Sequence, residues 1–82
     1  MTIVLYKHYG GFSIPEPVAA KRGVGIYDDI PRDDPDLIEY VRTHDTDLTL
    51  VTIPDDATDW EIDEYDGYER VTYVRDGKLW HA

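Results

Sequence analysis

The segment Lys7-His8-Tyr9-Gly10-Gly11 contains the residue types that can hold a phosphate or another anion. It follows an apolar run, and a helix is expected to begin at Ser13, so that a strand, two glycines and a helix N-terminus come in succession. Free backbone N–H groups and the helix dipole favour an anion in that geometry. The segment matches neither the dinucleotide-binding pattern nor the P-loop pattern. The favoured interpretation is therefore a sharp corner in which glycine supplies positive φ, with the anion site as the alternative.

Other patterns with catalytic or metal-binding potential give weaker signals. None of the three histidines has another histidine at a metal-ligand spacing of three or four residues. The acidic run that starts at Asp59 has Glu64 as its sixth residue, where a calcium-binding loop needs glycine. The chain has no cysteine, and Ser13 is its only serine. We therefore expect a protein that is not an enzyme and that uses no cofactor and no metal.

Large aromatic side chains are concentrated in the last 23 residues of the chain. They either enlarge a thin core or form a contact surface, because Tyr and Trp dominate the binding energy of protein interfaces. Trp60 is expected in the core, whereas side chains beside the Asp-Gly turn signal are expected at the surface. The predicted partner-binding residues are Tyr65, Asp66, Gly67 and Tyr68.

The elements that position these residues follow from hydrophobic periodicity and turn signals, which predict the order β-α-α-β-β-β-β. Strands are expected at 2–8, 47–53, 59–65, 68–74 and 78–82, and helices at 13–23 and 33–44. Ser13 and Glu16 have the spacing of a capping box, and Asp34 is the expected N-cap of the second helix.

The first two predicted strands are apolar on both faces, which is typical of strands inside a sheet. Because two helices separate them in sequence, we expect a parallel pair with a right-handed crossover. The predicted fold is a single α+β domain of residues 1–82, with one mixed sheet of about four to five strands and both helices on one face.

Net charge divides the chain into three regions. Residues 28–69 carry twelve Asp and four Glu against two Arg, a balance of −14, whereas residues 1–27 and 70–82 each carry +2. Such acidity disfavours direct binding of nucleic acid, whose phosphates need a basic surface. The excess of Asp and the presence of only three lysines fit three interpretations: an ordinary solvated surface, adaptation to high salt, or a surface for a basic partner.

Two sequence segments carry a resemblance to a known group of proteins. KHYGGFSI (7–14) and WEIDEYDGYERV (60–71), with RDDPDLIEYV (32–41) between them, resemble small hypothetical proteins of phages and prophages. His8 stands where that group would have a small residue, and this chain is the more acidic. The resemblance implies a virus-encoded accessory protein, and it implies no activity and no catalytic residue. Together with the excess of Asp, it suggests a virus or prophage of a salt-loving host.

Two functions are predicted. The leading one is a non-enzymatic accessory protein that binds a host or viral protein in the host cytoplasm, either as a monomer or as a homodimer. The alternative is a protein that binds a nucleotide or another small anion at Lys7, His8, Tyr9, Gly10 and Gly11. No apolar run approaches the roughly 20 residues that a membrane-spanning helix needs, so no membrane association is expected.

Salt should stabilise this protein if its acidity is an adaptation to high salt. We expect the melting temperature to rise continuously from low salt to molar KCl, because ions screen the repulsion among the carboxylates of residues 28–69. Thermal unfolding followed by circular dichroism measures this. A melting temperature that stays flat or falls with salt would contradict the salt-adaptation hypothesis, and the acidity would then be attributed to the function of the protein.

Overall fold

The computed structural model describes residues 1–8 and 10–82, so that Tyr9 lies outside the described residues. Its elements are β1 (Thr2–Tyr6), α1 (Glu16–Arg22), α2 (Pro35–Thr43), β2 (Leu48–Thr52), β3 (Asp59–Tyr65), β4 (Tyr68–Arg75) and β5 (Lys78–His81). The predicted element order and the α+β class are confirmed.

The strands form two antiparallel sheets instead of one mixed sheet. β1 pairs with β2, with Ile3 opposite Val51, and β3, β4 and β5 form a three-stranded meander. The predicted parallel pair and single mixed sheet are therefore wrong. One helix between two strands returns the chain to the starting end and gives a parallel pair. The two helices here reverse the chain twice, so β2 begins at the end where β1 finishes.

The β1–β2 sheet is the middle of three layers. On one face, Val4 packs with Val18 and Leu37 of the two helices. On the other face, Ile3 and Leu5 pack against Val71 of the meander. Successive residues of a strand point to opposite faces, so a strand between two layers is apolar on both. The prediction that both helices lie on one face is confirmed for this two-stranded sheet.

The second helix begins as the sequence predicts. Pro35 is its first residue, and the Asp34 carboxylate accepts hydrogen bonds from the N–H groups of Asp36 and Leu37 at 3.0 and 3.1 Å. The first helix begins at Glu16 instead of Ser13, and none of the side chains that the structure describes caps it.

The predicted capping box of Ser13 and Glu16 is therefore wrong, for a local steric reason. Proline pushes the residue before it out of the α region, and Ile14 precedes Pro15. The Ile14 N–H instead donates to the carbonyl of Ile26 at 2.7 Å. Pro15 becomes the N-cap, and the segment from Gly11 to Ile14 stays extended or irregular.

The basic end of α1 is bound to the acidic start of α2. Lys21 Nζ donates to Asp36 Oδ1 at 2.8 Å, and Arg22 forms ion pairs with Asp34 and Asp36. The hydrogen bond from Lys21 holds the pKa of the Asp36 carboxyl below its usual value. Part of the acidity of the sequence is thus neutralised within the helical layer.

A largely buried ion pair joins the helix side of the protein to the meander. Arg32, in the loop before α2, makes two hydrogen bonds of 2.6 Å to the two carboxylate oxygens of Glu69 in β4. Glu69 Oε1 also accepts the Tyr6 N–H at 2.9 Å. Arg32 Nη1 donates to the Val4 carbonyl at 3.1 Å, and the Arg32 carbonyl accepts the Val4 N–H at 2.9 Å. The guanidinium lies 3.6 Å from the centre of the Phe12 ring.

Replacing Glu69 should destabilise the protein severely. Glu69→Gln keeps the side-chain shape but leaves the Arg32 guanidinium without its counter-ion, and breaking such a pair costs about 3–5 kcal/mol in free energy of unfolding. Urea unfolding measures the loss. The matched control is Asp56→Asn, which breaks an exposed pair with Arg75 and should cost less than about 1 kcal/mol. Equal losses in the two variants would contradict the role assigned to Arg32 and Glu69.

Candidate functional site

The structure brings the two glycine-containing turns of the sequence into contact with each other. The Gly10 N–H donates to the Asp66 carbonyl at 3.3 Å. A Cβ atom on Gly67 would lie 2.2 Å from the Gly11 nitrogen and 2.7 Å from the Gly10 nitrogen. We call this contact between Gly10-Gly11 and Asp66-Gly67 the turn joint. It fixes the tip of the β3–β4 hairpin to the chain that leaves β1.

The corner interpretation of Gly10-Gly11 agrees with this geometry. Gly10 has φ of 123° and Gly11 has φ of 95°, values that favour glycine and that confirm the predicted positive φ. Four residues, 12–15, separate the glycines from the first residue of α1. The predicted placement of the glycine turn at the helix N-terminus is therefore wrong.

The start of α1 also offers few donors for an anion. α1 has only seven residues, and Pro17 in its first turn has no N–H. The N–H groups of Val18 and Ala19 donate to the Pro15 carbonyl, each at 3.0 Å. The Glu16 carboxylate, at the first helical position, would repel an anion.

The predicted ligand residues do not form a basic pocket in the part of the chain that the structure describes. Lys7 is half-buried, and the exposed His8 ring lies 5.5 Å from the Tyr6 ring. Tyr9 lies outside the described residues. The concave site beside Gly11, of about 290 Å³, is also lined by Asp45 and Asp47, which disfavour an anion. Anion binding at residues 7–11 stays a prediction, and this electrostatic setting does not favour it.

The four predicted partner-binding residues have different roles in the hairpin. Tyr65 is 79% exposed and lies directly opposite Tyr68, which is 37% exposed. Asp66 and Gly67 form the turn between them with φ of 52° and 84°. Asp66 is exposed, whereas Gly67 is buried in the turn joint. Gly67 therefore supports the hairpin and is not available for contact with a partner.

A concave site of about 380 Å³ lies beside these tyrosines. Its lining residues are Asp63, Glu64, Tyr65, Tyr68 and Arg70. Asp63 and Arg70 are opposite each other across the two strands, as are the two tyrosines. The site thus combines two aromatic rings with charges of both signs. Period-two alternation along β3 and β4 was the signal that could have added Asp63 and Arg70 to the sequence prediction.

The prediction that Trp60 lies in the core is wrong. Trp60 shares the inner face of the meander with Ile62, as predicted, but it is 38% exposed. It lies across from Tyr73, which in turn lies across from Trp80, and Trp80 is 47% exposed. The reason is length: β3 and β4 have seven and eight residues, whereas β1 and β2 have five. The shorter sheet leaves this row of aromatic rings partly uncovered.

Residues 1–8 and 10–82 contain no group of three His, Asp or Glu side chains that could hold a metal ion. In the same residues, neither helix has the length and apolar character needed to cross a bilayer. The chain matches no protein-family model, no curated protein and no solved structure. The resemblance to phage and prophage proteins therefore stays a prediction.

The turn joint can be tested by comparing two turn glycines of similar backbone conformation. Gly67→Ala should lower the free energy of unfolding by at least about 2 kcal/mol, because the new Cβ adds a backbone clash to the strain of positive φ. Gly77→Ala is the control, since Gly77 has φ of 72° and open space around it. Its cost should be about 1 kcal/mol, from strain alone. Equal costs in urea unfolding would contradict the turn joint.

Proposed function

We propose that this protein is a non-enzymatic binding protein that docks a protein partner on the hairpin tip. The contact area is defined as Asp63, Glu64, Tyr65, Tyr68 and Arg70 and is called the tyrosine surface. The observation that carries the proposal is Tyr65, a large aromatic side chain that is 79% exposed and directly opposite Tyr68.

The tyrosine surface has the composition of an interface hot spot. Tyrosine supplies a large contact area while losing the freedom of only two side-chain torsions. Hot spots are enriched in Tyr and Arg, and the surface contains both. An aromatic ring on a paired strand has little freedom left to lose on binding, so burying its surface contributes to affinity at a small entropic cost.

The turn joint supports this proposal because it orders the hairpin before a partner binds. Gly67 packs on the backbone of Gly10 and Gly11, and its N–H donates to Glu64 Oε1 at 2.7 Å. Asp66 accepts the bond from Gly10. A free hairpin tip would lose conformational entropy on binding, whereas this one is already held against the chain that leaves β1.

Charge indicates what the partner surface should be like. Among the residues that line the concave site, Arg70 is the one cation beside Asp63 and Glu64, and Asp66 lies in the adjoining turn. A partner with an aromatic or apolar groove and a basic rim would complement them. In this proposal, which follows the sequence resemblance, the partner is a host or viral protein.

Alanine substitution of the tyrosines should release the partner. Protein capture from lysate of the native host cells, with quantitative mass spectrometry, would identify a partner enriched by the natural protein. Tyr65→Ala with Tyr68→Ala should then weaken its purified complex by about 30-fold or more, the effect of losing about 2 kcal/mol at a hot spot.

The control is Tyr27→Ala. Tyr27 is 83% exposed in the loop between the helices, so its loss removes an exposed tyrosine elsewhere on the protein. We expect the affinity of this variant to stay within about twofold of the natural value, since it lies outside the contact area. Equal affinities of the tyrosine-surface variant and the natural protein would contradict the proposal, as would the absence of any specifically enriched protein.

A further inference from the structure

β3 is a long and open edge strand. It lies at one side of the meander, and in the part of the chain that the structure describes β4 is the only helix or strand beside it. Its seven residues pair with β4 in continuous register, without a bulge. Natural edge strands are commonly short, or are protected by a bulge, a proline or a lysine. β3 contains no proline and no lysine, and the charges that could protect its edge are the carboxylates of Asp59, Glu61, Asp63 and Glu64, which would repel an acidic strand but not a basic one.

The turn geometry shows which backbone groups face this open edge. Positive φ at both Asp66 and Gly67 defines a two-residue hairpin turn, in which the flanking Tyr65 and Tyr68 form a hydrogen-bonded pair. Hydrogen bonding to β4 then alternates along β3, and the backbone groups that point to the open edge belong to Trp60, Ile62 and Glu64. In agreement, the Trp60 N–H donates to the Asp59 carboxylate at 2.9 Å.

The two faces of β3 next to this edge differ in chemistry. The outer face carries a row of carboxylates, Asp59, Glu61 and Asp63, while the inner face carries Trp60 and Ile62, followed by Glu64 at the end next to the turn. A strand added at the edge would place its alternate side chains beside these two rows. Basic residues would fit the outer row, and apolar residues would fit the inner row.

We propose that the open edge of β3 binds an extended protein segment in which basic and apolar residues alternate, so that the segment becomes a fourth strand of the meander. Backbone hydrogen bonds to Ile62 and Glu64 would supply affinity, and the two rows of side chains would set register and specificity. The site goes beyond the tyrosine surface because it uses the backbone of β3 and does not require Tyr65 or Tyr68.

Charge argues against a second copy of this chain as the occupant. Antiparallel pairing of two β3 strands would place Glu61 and Asp63 of one copy opposite the same carboxylates of the other. Like charges directly opposite each other destabilise a strand pair. The net charge of −10 adds repulsion between whole molecules. The acidic row therefore protects the edge against self-association while leaving it open to a basic strand.

The probe for this site is a synthetic peptide in which lysine and valine alternate over seven residues. Titration into ¹⁵N-labelled protein, followed by NMR, should give saturable binding, shifts at residues 60–64, and slower amide exchange of Ile62 and Glu64. Two control peptides should bind at least about tenfold more weakly. One has glutamate in place of lysine and loses the positive charge; the other has all its lysines followed by all its valines and loses the alternation.

Backbone methylation separates strand addition from simple charge attraction. Only every second amide of an added strand faces the strand beside it. N-methylation of either the valines or the lysines should therefore abolish binding, while methylation of the other set should leave it within about twofold. Equal binding of the two methylated peptides would overturn the proposal, as would equal binding of the glutamate or block peptide, or the absence of saturable binding.

The charge row is tested by Glu61→Lys, with Glu39→Lys as the control. Glu61 is exposed on the outer face of β3, and Glu39 is exposed on α2, so both variants change the net charge equally. Glu61→Lys should lower the affinity for the lysine–valine peptide about fivefold to tenfold, whereas Glu39→Lys should lower it less than about twofold. Equal effects would overturn the proposal. Amide exchange should also be measured without peptide at several protein concentrations. If exchange of Ile62 and Glu64 slows as the protein concentration rises, the occupant of the edge is a second copy of this chain, and the proposal is overturned.

Discussion

The pairing of Arg32 with Glu69 is the contact on which the arrangement of the layers depends. β1 is bonded to β2 on one side, and the N–H groups of Val4 and Tyr6 point to the other side, where residues 1–8 and 10–82 place no paired strand. A buried backbone group without a partner costs as much free energy as a lost hydrogen bond, so the backbone groups on this side of β1 need hydrogen-bond partners. The loop residue Arg32 and the β4 residue Glu69 do so together, and each neutralises the other's charge. The same two residues, through the Arg32 backbone as well as both side chains, therefore complete β1, fix the loop that leads into α2, and hold the meander against the middle sheet. Apolar packing alone would allow these layers to slide, because it is not directional.

The turn joint adds a second constraint at the end of the hairpin. A glycine is required at position 67 for two reasons at once: its φ is positive, and the backbone of Gly10 and Gly11 fills the space that a side chain would need. The result is a hairpin held at its tip and, through Glu69, along its length. Both proposed binding sites depend on this support, since Tyr65 stands beside the joint and the open edge of β3 runs away from it.

The sequence predicts those features that short-range chemistry determines. The N-cap at Asp34, the Asp-Gly turns and the alternating faces of β3 follow from local hydrogen bonding, positive φ and the pleat of a strand.

The direction of the β1–β2 pair does not follow from the sequence, because a strand that is apolar on both faces fits a parallel sheet and a middle layer equally well. The exposure of Trp60 depends on how far the shorter sheet extends. The role of Gly67 depends on a contact with residues more than 50 positions away, and Arg32 is 37 positions from Glu69. No local pattern in the sequence indicates either contact, although the turn signal correctly places Tyr65 at the surface.

The acidic side chains of residues 28–69 include two groups that differ in their contacts. Asp34 and Asp36 are bound to Lys21 and Arg22 between the helices, so their charges serve the structure. Asp59 and Glu61 stand on the outer face of β3, and within the described residues neither of them forms an ion pair. At high ionic strength the Debye length falls to about 3 Å at 1 M salt, and exposed charges then attract a distant partner only weakly. Under those conditions the backbone hydrogen bonds of an added strand and its contacts with Trp60 and Ile62 would provide most of the affinity. The carboxylates would act at short range, where they select a basic strand in one register and reject an acidic one.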